Sequence, residues 1–312
     1  MIDNIQVFRF LPLKRVLAYD VFNEGFNGWM VIMPNFCNEG FEQSPSIVSK
    51  DQWPSCMLST ATFRYPGSHG SMSGQYSLKI STRNVCSPYA SMPAPGSMGH
   101  GIKRISFFQR GKYLQFETWF AYTAEQDTCE NGGPLPGLHE NSVRSFGFGF
   151  DLQERGGKRR FAGVRYLNSV DGKMMQKWQM IWPWAKDDKA WAYDTEGDWC
   201  VKGVDPFWNG KRYPDGRHEG FIDVPDGHQE LCYNETDCKL NWQYFRLLID
   251  TEKYEYVEMQ CQDKVMDLGR HPIYGVEPYA RIEGLMNPLA WVETDAPRRA
   301  FLYLDSVVVS QE

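Results

Sequence analysis

An excess of positive charge is missing from this chain: 33 Lys and Arg stand against 39 Asp and Glu, for a formal net charge of -6. Without a basic field nothing draws a phosphate backbone through counterion release, so nucleic acid is not an expected partner. Also missing is any apolar run long enough to cross a bilayer, and no membrane association is expected. The first residues scatter Phe and Leu among Asp3, Arg9, Pro12, Lys14 and Arg15 rather than forming the apolar core of an export signal. Read as starting at its own Met, the chain is expected to be cytoplasmic. The eight cysteines (Cys37, Cys56, Cys86, Cys129, Cys200, Cys232, Cys238, Cys261) make no CxxC pair and no Cys/His cluster with zinc spacing, and they read as buried or idle thiols. Cys232 and Cys238 are the local exception, since a bridge there would close a short polar loop.

Convincing amphipathic helices are absent as well, and what replaces them is aromatic. Phe, Trp and Tyr make up 15% of the 312 residues, a bias that favours strands and flat-faced ligand contacts. Alternation with period two runs through Tyr113–Tyr122, Val143–Leu152, Phe161–Asn168, Lys173–Trp182, Trp242–Asp250 and Tyr254–Cys261, and Ala300–Ser310 is a β-branched closing strand. Leu58–Tyr65, Tyr76–Thr82, Lys264–Leu268 and Ala280–Leu285 are further strand candidates, whereas Ser87–Gly101, rich in Pro and Gly, reads as loop. Between Pro183 and Leu240 the pattern vanishes, although Trp184, Trp191, Trp199 and Trp208 fall there; the stretch reads as one long irregular insertion anchored by its own rings. About a dozen strands predict one all-β domain over residues 1–312, a two-sheet antiparallel jelly-roll sandwich.

Strand faces then nominate a site. Gln115, Glu117 and Trp119 share the non-core face of one strand, where amide, carboxylate and indole can meet sugar hydroxyls and a pyranose ring, or can simply form a solvated sheet face. Glu117 is the leading candidate for an acid. Glycines alternate with Phe146, Phe148 and Phe150, leaving room for a ligand against the backbone. Arg165 on the next strand can neutralise a carboxylate, and Gln176, Trp178 and Trp182 share one face of the strand after it. Tyr256, Glu258 and Gln260 line a similar face of the later hairpin, with Arg246 beside them. For each set the alternative is core membership or cross-strand pairing.

Four segments in order carry a resemblance: Asp20–Trp29, Tyr113–Tyr122, Tyr244–Asp250 with its hairpin partner, and Phe301–Val309. Together they are similar to the concanavalin A-like lectin/glucanase superfamily and point to a bacterial member of it. The resemblance implies two curved antiparallel sheets with a glycan in the concave groove. It also implies lectin, glycoside hydrolase or polysaccharide lyase activity, with Glu117, Glu258 and Arg165 as candidate catalytic groups. It further implies Asp20 and Asp305, near the two chain termini, as candidate ligands of a structural calcium ion, with no other cofactor required. The Glu-x-Asp-x-x-Glu strand of laminarinase-like members and the Gln-x-His strand of alginate-lyase-like members are both absent, which leaves hydrolase, lyase and binder open. A second reading from another class is a noncatalytic assembly subunit, such as a homo-oligomer, that uses the same aromatic surface against a protein partner.

Overall fold

The computed structural model describes residues 9–30, 56–59, 70–82, 98–105, 111–125, 139–153, 157–181, 221–234, 241–273, 275–276 and 284–312. Its strands are, in chain order, β1 (Arg15–Asp20), β2 (Trp29–Met30), β3 (Cys56–Ser59), β4 (Ser77–Ser81), β5 (Met98–Lys103), β6 (Tyr113–Ala124), β7 (Val143–Gln153) and β8 (Arg159–Val170). There follow β9 (Lys173–Ile181), β10 (Phe221–His228), β11 (Gln243–Asp250), β12 (Glu255–Cys261), β13 (Lys264–Asp267), β14 (Gly275–Val276), β15 (Leu285–Thr294) and β16 (Ala300–Gln311). They form two antiparallel sheets. The first, sheet A, runs β13-β12-β11-β6-β16-β4-β3, with β1 beside the C-terminal half of β16. Sheet B runs β10-β9-β8-β7-β15-β5-β2, with β14 against β8. The fold is therefore the two-sheet antiparallel β-sandwich that the alternation predicts.

Period two decides what lies between the sheets. Phe116 and Phe120 of β6 and Phe245 of β11 face Phe146, Phe148 and Phe150 of β7, Tyr166 of β8 and Trp178 of β9 in one buried cluster. The rings interlock, with centroids 4.4 Å apart for Phe148 and Phe245 and 5.6 Å for the stacked Trp178 and Phe245. Pairs at these separations add about 0.5–1.5 kcal/mol each beyond the area they bury. Tyr256 reaches across this layer from β12: its hydroxyl accepts from Gly163 N–H (2.9 Å) and donates toward the carbonyls of Gly163 and Ile181. Burial holds that phenol's pKa well above the usual tyrosine range. Tyr256, expected to line a ligand face, is instead a tie between the two sheets.

Among the strands that depart from the sequence expectation, three have a clear physical reason. Met98–Lys103, expected to end a loop, is β5, and Gly99 is there because the sheets close tightly at this point. A Cβ on Gly99 would sit 2.2 Å from the carbonyl oxygen of Ser81. Leu285–Thr294 is a ten-residue strand although Pro288 stands within it; the ladder to β5 begins only at Leu289, so the missing N–H falls where a neighbour strand has ended. The supposed irregular insertion holds β10, whose pairing with β9 shifts register between Asp223 and His228. Cys232 is unbridged, and Cys238 lies outside the described residues.

His100, also expected in a loop, belongs to β5 opposite Trp291. Desolvation lowers its pKa to about 4. The folded value thus lies below the unfolded one, and the unfolded chain binds the extra proton between about pH 6.5 and pH 4. Stability therefore falls as pH drops through that window, by up to about 3 kcal/mol from this group. Urea titrations at pH 7 and pH 4.5 should show the His100→Gln variant losing less stability between the two pH values than the wild type; parallel losses would contradict this.

Candidate functional site

The three candidate catalytic groups occupy opposite faces of the sandwich. Glu117 and Glu258 lie on the outer side of sheet A, Arg165 on the outer side of sheet B, and the aromatic core separates them. They do not meet in one site.

On sheet A the expected trio is already engaged. Glu117 is fully buried, and its carboxylate accepts from Leu11 N–H (2.6 Å), Tyr244 Oη (2.7 Å) and Gln115 Nε2 (2.9 Å). Gln115 Nε2 also donates to the carbonyl of Leu11 at 2.8 Å, and Trp119 Nε1 donates to the carbonyl of Arg9 at 3.2 Å. The chain's own segment Arg9–Leu13 thus covers this face, and Phe10 packs against Tyr244, Val308 and Trp119. A strand's own alternation shows which side is outward but not what lies on it. Burial, followed by the neighbouring Glu117 carboxylate, keeps the Tyr244 phenol protonated and therefore a donor. Further along, Glu258 forms an ion pair with Arg246, and Gln260 Nε2 bonds the carbonyl of Gln262 at 2.8 Å.

Of the two alternatives for the Trp178 face of β9, ligand face or core, the structure shows core. Trp178 points into the core, where its Nε1 donates to Gln229 Oε1 at 3.0 Å. Gln176 takes a left-handed backbone (φ 49°), and its carbonyl accepts from Gln229 N–H at 2.9 Å. Trp182 lies outside the described residues. The residues that face outward with Arg165 are Lys177 and Gln179, because antiparallel pairing sets Arg165 opposite Gln179. Nothing in β9 alone gives that register.

A connected array results on sheet B. Arg165 Nε and Nη2 both donate to Gln179 Oε1 (2.9 and 2.7 Å), and the guanidinium lies 3.6 Å from the centroid of Phe221. Gln179 Nε2 in turn donates to Asp223 Oδ1 (2.7 Å), while Lys177 Nζ bonds Asp223 Oδ2 (2.9 Å). Arg165 and Gln179 are buried; the Asp223 side chain is 52% exposed and Lys177 21%. The array therefore runs from a desolvated cation to a solvent-facing carboxylate and ammonium. Its position follows from β10: the ladder breaks after Asp223, Asp226 adopts φ 52°, and Lys264 of β13 bonds the carbonyls of Asp226 and His228 at 2.7 Å each, pinning the bulge to sheet A. Edge bulges of this kind re-aim side chains beside ligand sites. Phe221 and Asp223 escape the sequence analysis because β10 is interrupted by Pro225 and Gly227, and Lys177 and Gln179 because their place beside Arg165 is set by the β8–β9 register. The space expected over the glycines of β7 is partly filled, since the Trp291 ring lies across Gly147, 2.2 Å from where a Cβ would stand.

The proposed calcium ligands are near one another in register but do not suit a cation. Asp305 is fully buried and accepts from Ser71 Oγ, Met72 N–H (2.9 Å), Ser73 N–H (3.2 Å) and Ser73 Oγ (2.6 Å). Asp20 accepts from Trp29 Nε1 (3.0 Å) and is paired with Lys103 Nζ (3.0 Å). Donor hydrogens and an ammonium stand where a calcium ion needs bare oxygens. Among the described residues no group of three His, Cys, Asp or Glu is placed to hold a metal.

The outward arrangement can offer adjacent acceptor and donor groups to a polyol, backed by rigid planar side chains. Among curated proteins none matches this chain. Among solved structures the carbohydrate recognition domain of Emp47p is 9% identical, with a TM-score of 0.40 over 97% of this chain and 99% of that one. The potassium-bound carbohydrate recognition domain of Emp46p is 11% identical at 0.38, covering 82% and 88%. A double mutant of the alginate lyase Aly36B, in complex with alginate tetrasaccharide, is 12% identical at 0.36, covering 83% and 98%. These likenesses concern the fold alone. Over residues 1–312 the chain matches the model of the domain of unknown function DUF6772, and it belongs to that family.

Proposed function

We propose that this chain is a glycan-binding protein whose ligand sits at the open end of the sheet B array, on Asp223 and Lys177. The observation that carries the reading is the preorganisation of Asp223. Each carboxylate oxygen already has a protein donor, Gln179 on one and Lys177 on the other, yet half the side chain faces solvent. A carboxylate and an ammonium fixed side by side match the paired donor and acceptor character of vicinal sugar hydroxyls, and fixing them beforehand removes ordering cost on binding. Arg165 acts behind them as a positioning residue, holding Gln179 from a stacked and buried seat. The proposal is for binding rather than turnover, because Glu117 and Glu258 lie on the other sheet and no second carboxylate of the described array faces Asp223 across a bond.

The test is a calorimetric or NMR titration against neutral and uronate-containing oligosaccharides. Saturable binding by at least one of them, with a dissociation constant in the micromolar to millimolar range (about -4 to -8 kcal/mol), is expected. Absence of a response to every saccharide would remove the proposal.

A further inference from the structure

We propose that the outer face of sheet A around Glu117 is a binding site for an extended peptide, with residues Arg9–Leu13 as its resident occupant in cis. The contacts have a regular grammar. At alternate residues the segment offers main-chain groups to side chains of the sheet: the carbonyl of Arg9 to Trp119 Nε1, the N–H and carbonyl of Leu11 to Glu117 and Gln115, and the N–H of Leu13 to Ser310 Oγ at 2.9 Å. Gln115 and Glu117 therefore read one residue's main-chain donor and acceptor together, whatever its side chain is. That of Leu11 is 63% exposed.

One guest side chain supplies identity. Phe10, 6% exposed, fills the space between Trp119, Tyr244 and Val308 and meets Tyr19 edge to face at 6.2 Å. Main-chain reading plus a single aromatic anchor is how extended peptides are held on folded surfaces. Glu117 makes the same point from the host side. A carboxylate on an outer sheet face could stay hydrated at no cost; this one is wholly buried and satisfied only while Leu11 N–H, Tyr244 and Gln115 all donate to it. The covering segment is joined to the sandwich through β1, which begins at Arg15 opposite Gln311, so the tether keeps its local concentration high without locking it in place.

The consequence is exchange. Removing the Phe10 ring from the full-length chain lowers the docking equilibrium constant of the resident segment by about 30-fold, and an added peptide then competes. A fluorescent peptide with the sequence of residues 9–14 is titrated into wild-type and Phe10→Ala chains. The Phe10→Ala chain is expected to bind it at least tenfold more tightly than the wild type does. A peptide whose own Phe is replaced by Ala is expected not to bind, and Glu117→Gln placed in the Phe10→Ala chain is expected to cost about tenfold. Equal affinity of the two chains, or indifference to the peptide's Phe, would overturn the proposal. Should Phe10→Ala fail to fold, amide exchange in the wild type decides. Leu11 N–H exchanging well before Leu247 N–H of β11 supports a segment that opens by itself, and equal protection of the two contradicts it.

Discussion

Replacing Arg144 with alanine is expected to lower the unfolding free energy by about 3–5 kcal/mol, among the largest losses open to a single substitution here. Arg144 lies at the start of β7 with its side chain wholly buried, Nε 2.8 Å from Glu293 Oε1 and Nη1 2.6 Å from Asp295 Oδ1. Both acids are themselves buried and tied to the fold: Ser145 Oγ donates to Glu293 Oε2 and Gly172 N–H to Asp295 Oδ2. The two carboxylates raise the guanidinium's pKa in spite of its desolvation. Taking the cation away leaves two carboxylates out of water with no counter-charge. The control is Arg144→Met, which keeps most of the volume. Urea unfolding of the two variants should give similar losses, because the unpaired charge rather than the cavity dominates; recovery of stability in the Met variant would point to packing instead.

The second large effect concerns ligand. Asp223→Ala should weaken saccharide binding by about 10–100-fold, the loss of one charged hydrogen-bonding group of about 1.5–3 kcal/mol. Its exposed side chain makes the cost to stability small. Arg165→Lys should weaken binding too, by a smaller factor, since an ammonium can neither bond Gln179 Oε1 through two nitrogens nor lie flat on Phe221. Calorimetry on both variants checks the order. Asp223→Ala binding like the wild type would dissociate this carboxylate from the ligand, and Arg165→Lys exceeding Asp223→Ala would make the arginine a direct contact.

The sandwich itself is legible because apolar and ring side chains mark alternate positions: Phe146, Phe148 and Phe150 on β7 and Leu114, Phe116, Phe120 and Tyr122 on β6 all turn inward. What escaped were strands whose own chemistry disguises them. Gly99 and Gly101 make β5 look like loop, Pro288 interrupts β15, and Pro225 with Gly227 hides β10 in a stretch that reads as irregular. The candidate site is legible in part. Arg165 was singled out and does face outward, but its partners Gln179 and Asp223 depend on cross-strand register, a property of two strands together. Trp178 takes the core alternative that its sequence leaves open: an aromatic that suits a sugar face suits a core equally well, and its neighbour Gln229 satisfies its indole there. Glu117 was placed correctly on an outer face; that the chain's first described residues lie over it is a tertiary fact with no local signature.

Two independent proposals thus occupy opposite faces, a saccharide on sheet B and a peptide on sheet A. Hydrogen–deuterium exchange of the wild-type chain with a saturating oligosaccharide separates them and tests the central claim. Protection is expected in β9 and β10, around Gln179 and Asp223, with β6 and β11 unchanged. Protection that appears instead around Glu117 and Tyr244, with β9 and β10 unaffected, would contradict the assignment of the glycan to sheet B.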